Sequence, residues 1–216
     1  MKMKGAIFDL DGTLLESMEM WDHLGEAYLR AQGIVPKEGL SDRLKWMTLR
    51  QAAAHFQSQY QLAQTVAEIE KEINASIETF YRYQVLPKDG ADELLRQFYS
   101  RGIKMCVVTA TDQYLVKAAF SRLGWLGYFQ GIITCGDVGL GKDQGDIFEY
   151  ALRVLKTEKE YTPVFEDAIH AVKTAKTAGF PVIAVQDKSF AKYENQLRET
   201  ADTYICSLRE MGACFD

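Results

Sequence analysis

The chain has 216 residues, of which 47% are hydrophobic and 25% charged, and its formal net charge at pH 7 is −5. This composition is that of an ordinary globular protein with enough apolar material for a core. The Lys and Arg residues are scattered along the chain, which excludes the basic patch typical of nucleic-acid binding or of binding to a membrane surface.

The N-terminal sequence MKMKGAIFDLDG has an apolar run of three residues before Asp9, which is too short for the core of a signal peptide. No stretch approaches the roughly 18 apolar residues of a membrane span. The four cysteines form no C-x-x-C pair, which favours free thiols. We therefore expect a cytoplasmic protein without nucleic-acid or membrane partners, and the sequence leaves a monomer and a weak homodimer open.

The first third of the chain predicts one strand followed by helices. Residues 4–9, KGAIFD, have the pattern of a short buried strand, and a polar turn follows. From residue 15 onward apolar residues recur at three- and four-residue steps, and further helical patterns cover 48–60 and 65–83. We expect 15–85 to form a small helical domain, inserted after the first strand into a core domain made of 1–14 and 86–216.

Strands and helices alternate after the turn sequence LPKDG at 86–90. The predicted strands are 103–109, 131–135, 163–167, 181–185 and 203–206. The predicted helices are 90–100, 112–123, 144–156 and 168–178. Continuous apolar strands separated by helices indicate an α/β fold of the Rossmann-like kind, with a parallel sheet covered on both faces.

Polar residues at the ends of the predicted strands carry the functional argument, because ligands of such sheets bind beyond the carboxyl ends of the strands. Asp9 and Asp11 follow the first strand, and Glu166 and Asp167 end a later one. Four carboxylates at one edge repel each other unless a cation lies between them. Oxygen ligands without Cys or His suggest Mg²⁺.

Two further residues suit a phosphate group beside that ion. Thr109 ends the second predicted strand, and Lys142 lies in a loop after the third. Both side chains are donors to phosphate oxygens, and the backbone N–H groups of the 10–13 turn add more.

The ordered set resembles the haloacid dehalogenase superfamily of phosphotransferases, in its β-phosphoglucomutase-like subgroup with a helical cap. The first motif of that family, DxDGT, is matched by residues 9–13, and the second by Thr109 in VVTAT. Lys142 matches the third motif, and the pair Glu166-Asp167 matches the fourth. The usual GKPxPD is GKDQGD here, and the usual EDSxxGxxAA is EDAIHAVKTA, so the prolines and the serine hydroxyl are missing.

The resemblance implies a role for each matching residue. Asp9 is expected to be the nucleophile that forms an aspartyl-phosphate, and Asp11 the general acid and base. Mg²⁺ is expected to be held by Asp9, the backbone carbonyl of Asp11, and Asp167, with Glu166 binding directly or through water.

The remaining implied contacts are with the substrate. Thr109 and Lys142 are expected to act in catalysis, while Gly12, Thr13 and Ala110 are expected to bind the phosphate ester. The stretch RLKWMTLR resembles the cap loop that touches substrate in the family, which makes Lys45 a candidate contact; a solvated Lys45 is the open alternative.

These residues predict a Mg²⁺-dependent phosphatase for a small phosphorylated metabolite. One alternative is a sugar-phosphate mutase like β-phosphoglucomutase, although Trp21 stands where such mutases carry a His. His23 lies about 200° further around the helix and cannot readily replace it. A second alternative is a catalytically silent binding protein on the same fold.

The sequence GDVGLGKD at 136–143 also fits a nucleotide-binding P-loop up to its last residue. A P-loop needs Ser or Thr where this chain has Asp143, which places a negative charge near phosphates. We therefore disfavour a P-loop nucleoside triphosphatase.

Overall fold

A computed structural model describes residues 3–44 and 47–215, and the side chains of these residues except 213–215. The chain divides into two compact units. One unit contains Met1–Met18 and Val85–Asp216, and the other contains Glu19–Gln84. The sequence-based limits lie a few residues away, at 14/15 and 85/86, and the role of the helical unit as a cap stays a prediction.

The helical unit is built on four helices, α1 (Met18–Ala31), α2 (Leu40–Leu44), α3 (Leu49–Tyr60) and α4 (Val66–Tyr83). Two of them begin with a capping box, in which a threonine side chain and the residue three positions later satisfy each other's backbone N–H. Thr48 pairs in this way with Gln51, and Thr65 with Glu68. The five-residue α2 was not predicted, because one turn is too short to show a helical period.

The core unit contains six parallel strands, which are β1 (Gly5–Phe8), β2 (Lys104–Thr109), β3 (Phe129–Thr134), β4 (Val164–Glu166), β5 (Val182–Val185) and β6 (Thr203–Ile205). Their order in the sheet is β3-β2-β1-β4-β5-β6. The order reverses between β1 and β4, and that crevice is where ligands of open α/β sheets bind. The predicted Rossmann-like α/β fold is confirmed.

The helices of the core unit are α5 (Ala91–Ser100), α6 (Gln113–Leu123), α7 (Cys135–Val138), α8 (Asp146–Leu155), α9 (Ile169–Thr177) and α10 (Glu194–Thr200). The prediction that the third strand extends to Cys135 was wrong. Thr134 ends that strand, and its side chain accepts a hydrogen bond from the backbone N–H of Asp137 at 3.0 Å. This cap starts α7 at Cys135.

Three phenylalanines fill the space between the sheet and α5. The ring centroids of Phe8 on β1 and Phe165 on β4 lie 4.4 Å apart, and Phe98 of α5 lies 6.1 Å from each of them. All three side chains are fully buried. This cluster fixes β1 against β4, and so fixes the residues that follow the two strands.

Within the described part of the chain, none of the helices combines the length and the apolar character that a membrane crossing needs.

Two neighbouring residues of α5 give a matched test of this core. Phe98 is fully buried, whereas Tyr99 is 58% exposed. We expect Phe98→Ala to lower the free energy of unfolding by about 3–5 kcal/mol, because it removes a large buried ring and leaves a cavity. Tyr99→Ala, at the next position of the same helix, should lower it by less than about 1 kcal/mol. Urea denaturation measures both values, and equal losses would contradict the assigned core.

Candidate active site

The pairing of β1 with β4 places two acidic segments side by side. Phe8 is opposite Phe165 in the parallel register, and the backbone N–H of Asp9 donates to the carbonyl of Phe165 at 2.9 Å. Asp9 therefore leaves β1 next to the point where Glu166 ends β4 and Asp167 follows. Apolar strand residues up to these positions keep both segments extended in the sheet.

Asp9, Glu166 and Asp167 form one cluster of buried carboxylates. One oxygen of each lies within 4.8 Å of the others. Lys142 inserts its ammonium into this cluster, where Nζ donates to Oδ1 of Asp9 and, at 3.2 Å, to Oε1 of Glu166. The Lys142 side chain is 11% exposed, so the whole cluster lies in a poorly solvated environment.

The pKa values in the cluster are shifted by burial and by the presence of three carboxyl groups around one ammonium. Burial alone would lower the pKa of Lys142, but the charges of Asp9 and Glu166 outweigh it and raise that pKa. The pKa of Asp167 is raised well above its ordinary value, first by burial and then by repulsion from Glu166 and Asp9. Burial and the charge of Asp9 raise the pKa of Glu166 as well. One ammonium does not neutralise three ionised carboxylates, so the fully ionised form of the cluster is disfavoured unless a further cation binds.

One oxygen of this cluster has no protein partner. Oδ1 of Asp167 accepts a hydrogen bond from the hydroxyl of Thr13 at 3.3 Å. Oδ2 of Asp167 is buried and has no hydrogen-bond donor among the described residues. A buried, unpaired carboxylate oxygen is costly unless something else binds it. The orphaned oxygen, in a cluster of hard oxygen donors, is what a divalent cation site needs.

Gly12 allows the first loop to approach this oxygen closely. Its φ is +86°, a left-handed conformation that glycine adopts without strain. A Cβ atom added at Gly12 would collide with Oδ2 of Asp167 and would lie 2.8 Å from its Cγ. The DxDGT sequence thus puts glycine where a side chain would fill the space beside the carboxylate.

Asp11 belongs to a second group of residues, in which hydroxyl groups donate hydrogen bonds to its carboxylate. Oδ1 of Asp11 accepts from Ser17 Oγ at 2.6 Å, and Oδ2 accepts from Thr111 Oγ1 at 2.6 Å. The backbone N–H of Thr111 donates in turn to the side chain of Thr109 at 3.0 Å. Ala110 lies between the two threonines, directly after β2, and is exposed. The described structure therefore joins Thr109 to Asp11 through Thr111.

The sequence reasoning missed Ser17 and Thr111. The signal for Thr111 was present, since VVTAT places a second hydroxyl two residues after Thr109 in an extended segment, where alternate side chains point the same way. Ser17 carried no local signal, because its contact with Asp11 arises from the turn that folds residues 10–15 back on themselves. Backbone N–H groups of Leu14 and Leu15 donate to the carbonyl of Leu10 within that turn.

A buried ion pair next to the cluster was also missed. Asp187 follows β5, adds to the repulsion that raises the pKa of Asp167, and is 6% exposed. Lys88 Nζ donates to Oδ2 of Asp187 at 2.9 Å and so compensates its charge. His170, in α9, has its pKa lowered by burial and by the charge of Lys142. His170 therefore lies close to the cluster.

The candidate residues of the helical unit are placed differently. Lys45 lies outside the described residues. Trp21 Nε1 donates to the hydroxyl of Tyr81 at 2.9 Å, so its polar edge is engaged inside this unit. His23 is exposed and lies 3.8 Å from a carboxylate oxygen of Glu26. Of the predicted apolar stripe of α1, Tyr28 is buried, whereas Trp21 is only half-buried.

Comparison with known proteins identifies the family. Residues 6–185 match the model of the haloacid dehalogenase-like hydrolase family. This range begins within β1, includes all four predicted motifs and ends with β5.

The curated relatives include phosphatases. The chain is 30% identical over 187 residues to a validoxylamine A 7′-phosphate phosphatase of Streptomyces hygroscopicus subsp. limoneus, covering 82% of each chain. It is 28% identical to hexitol phosphatase A of Escherichia coli strain K12, covering 86% of this chain and 84% of the relative. These relatives confirm the prediction of a phosphoric monoester hydrolase.

A solved structure supports the fold. A Thermotoga maritima protein, provisionally assigned as a β-phosphoglucomutase, superimposes with a TM-score of 0.84, covers 99% of both chains and is 21% identical. At that identity the match shows the fold alone. The family model over residues 6–185 and the relative at 30% identity show that the chain belongs to the haloacid dehalogenase-like hydrolase family, as its four motifs predict.

Proposed function

We propose that the protein is a Mg²⁺-dependent phosphatase that hydrolyses a small phosphorylated metabolite through an aspartyl-phosphate on Asp9. The observation that carries the proposal is the buried cluster of Asp9, Glu166 and Asp167, with Lys142 bound to two of its members and one Asp167 oxygen unpartnered. Three buried carboxyl groups beside one ammonium suit a site that binds a divalent cation and a phosphate together.

The chain fits Mg²⁺ by the chemistry of its donors. Asp9, Asp167 and the backbone carbonyl of Asp11 would hold the ion, with Glu166 bound directly or through water. When bound, the ion would neutralise charge between the carboxylates and the phosphate, which lets a carboxylate approach phosphorus. Lys142 supplies a fixed positive charge for the same purpose.

Asp9 and Asp11 would divide the chemistry between them. A carboxylate oxygen of Asp9 attacks phosphorus, and the bond from phosphorus to the ester oxygen breaks. The leaving oxygen takes its electron pair and a proton from Asp11, giving the free alcohol. Asp11 then takes a proton from a water molecule whose oxygen attacks phosphorus, and the bond to Asp9 breaks to release inorganic phosphate.

The neighbours of Asp9 and Asp11 support this division. Asp9 contacts an ammonium, as suits a group that must remain charged to act as a nucleophile. Asp11 contacts two hydroxyls instead. Thr109, Gly12, Thr13 and Ala110 are proposed to line the phosphate position, with Thr13 also orienting Asp167.

The substrate class rests on the relatives. One is named for validoxylamine A 7′-phosphate and another for hexitol. We therefore propose a phosphorylated carbohydrate or polyol as the first class to screen. The mutase alternative has no observation in its favour, since Trp21 occupies the relevant position and is bound to Tyr81.

Replacement of the proposed nucleophile tests the function directly. We expect Asp9→Asn to lower turnover of phosphate esters by about 10³-fold or more, since an amide cannot form the covalent intermediate. Acid quenching during turnover should leave a phosphoryl group on the peptide that contains Asp9, detected by mass spectrometry. Asp143→Asn is the matched control, because Asp143 is exposed and lies outside the cluster. Full activity of Asp9→Asn would refute the proposal.

Asp167→Asn should change the free energy of unfolding in opposite directions with and without Mg²⁺. In chelator-treated protein at neutral pH, Asp167→Asn should raise the free energy of unfolding by about 1 kcal/mol or more. The substitution removes a carboxyl group whose pKa is raised by burial and by repulsion from its neighbours. With Mg²⁺ at 100 times its dissociation constant, the wild-type chain gains about 2.7 kcal/mol and the variant gains less. Urea denaturation with and without Mg²⁺ measures both differences.

The pH dependence of the same experiment has a fixed sign. A carboxyl with a raised pKa binds more protons in the folded chain than in the unfolded one, so the metal-free wild type should lose stability as pH rises above the ordinary carboxyl range. Asp167→Asn should lose less over that range. An Asp167→Asn variant that is destabilised with and without Mg²⁺ would contradict the site.

Gly12→Ala tests the close approach of the first loop to Asp167. We expect about a 10²-fold loss of kcat/KM, because the added methyl group displaces the carboxylate from its position. Gly124→Ala is the control, since Gly124 has a φ of +74° but open space around it. Both substitutions impose similar backbone strain, so only Gly12→Ala should affect kcat/KM. Equal activities of the two variants would show that the contact is unimportant.

A further inference from the structure

Both oxygens of the Asp11 carboxylate are held by hydroxyl groups. Ser17 binds Oδ1 and Thr111 binds Oδ2, each at 2.6 Å. Ser17 is fully buried and Thr111 is 7% exposed. Two short hydrogen bonds to different oxygens fix the plane of a carboxylate as well as its position.

The backbone around Thr111 is itself fixed. Thr109 is the last residue of β2, and its side chain accepts a hydrogen bond from the backbone N–H of Thr111. Helix α6 then begins at Gln113. Thr111 therefore stands in a three-residue connection anchored by a central strand on one side and a helix on the other, which is a rigid support for a catalytic group.

Hydroxyls are suited to a partner that changes its protonation state. A hydroxyl can donate to a carboxylate oxygen and can accept from a carboxylic acid O–H, whereas an ammonium only donates. The contact between Thr111 and Asp11 can therefore persist when Asp11 carries a proton and when it does not. The ammonium of Lys142, by contrast, is placed on Asp9.

We propose that Thr111, together with Ser17, is a positioning residue that holds Asp11 for proton transfer to the leaving oxygen. The inference rests on the proposed function, because it takes Asp11 as the general acid. Thr111 would act through Asp11, by keeping its proton aligned with the ester oxygen while the bond from phosphorus to that oxygen breaks and the electron pair moves to the oxygen. The competing role is a direct contact of Thr111 with the transferred phosphoryl group.

Two esters with different leaving groups separate these roles. Benzyl phosphate releases an alkoxide, which needs a proton as it leaves, whereas 4-nitrophenyl phosphate releases a stable phenolate that does not. The value of kcat/KM reports on formation of the phosphoenzyme, the step in which the ester oxygen leaves. A loss of the aligned proton should therefore appear with benzyl phosphate only, whereas a loss of phosphoryl binding should appear with both esters.

The test uses two substitutions of Thr111 in the full chain with Mg²⁺. We expect Thr111→Val, which keeps the shape and removes the hydroxyl, to lower kcat/KM for benzyl phosphate by about 10–100-fold, within the contribution of general acid catalysis. For 4-nitrophenyl phosphate the loss should be no more than about 3-fold, since no proton transfer is needed there. Thr111→Ser keeps the hydroxyl and should restore the benzyl phosphate activity. Equal losses for both esters, or no loss for either, would overturn the proposal.

Three further variants make the outcome unambiguous. Ser17→Ala should show the same selective loss, and it serves if Thr111→Val does not fold. Thr162→Val is the matched control, because Thr162 is a fully buried threonine whose hydroxyl contacts Thr157 and the Glu158 carbonyl and does not touch Asp11. Asp9→Asn should abolish activity toward both esters. If it does not, the proposed function fails, whatever the result at Thr111.

Discussion

Mutual repulsion among buried carboxylates is the constraint on which this structure depends. Asp9, Glu166 and Asp167 have oxygens within 4.8 Å of one another and share a single ammonium, from Lys142. In a poorly solvated site this arrangement costs stability, since the charged form of Asp167 is disfavoured by burial and by its neighbours. Such a cluster is tolerated when a bound ligand offsets the repulsion between its carboxylates. Oδ2 of Asp167 has no partner among the described residues, so a ligand can bind there.

The sheet brings this cluster together from distant parts of the chain. The order β3-β2-β1-β4-β5-β6 makes β1 and β4 neighbours, although about 155 residues separate them along the chain. The stacked rings of Phe8 and Phe165 hold the two strands together one residue before Asp9 and Glu166. Core packing therefore fixes the geometry of the site, because a change in the register of β1 and β4 would separate the acidic residues.

Much of this arrangement could be predicted from the sequence, and there are physical reasons why the remainder could not. Long apolar segments and the ordered motifs predicted the parallel sheet and named Asp9, Asp167 and Lys142, because strand ends in such a sheet meet at one edge. The single turn of α2 gave no periodic signal. The contact of Ser17 with Asp11 depends on the geometry of the turn after β1, and hydroxyl residues in loops are too common to be singled out without coordinates.

Two aspartates separated by one residue thus acquire different surroundings, and these differences match the two roles proposed for them. Asp9 contacts the ammonium of Lys142, which places a fixed positive charge beside the proposed nucleophile. Asp11 contacts two hydroxyls, which can follow a proton on and off the carboxylate. Different donors reach the two side chains from different segments, Lys142 from the segment between α7 and α8 and Thr111 from the connection after β2. The DxDGT motif therefore supplies two identical carboxylates, and the fold gives them different hydrogen-bond partners.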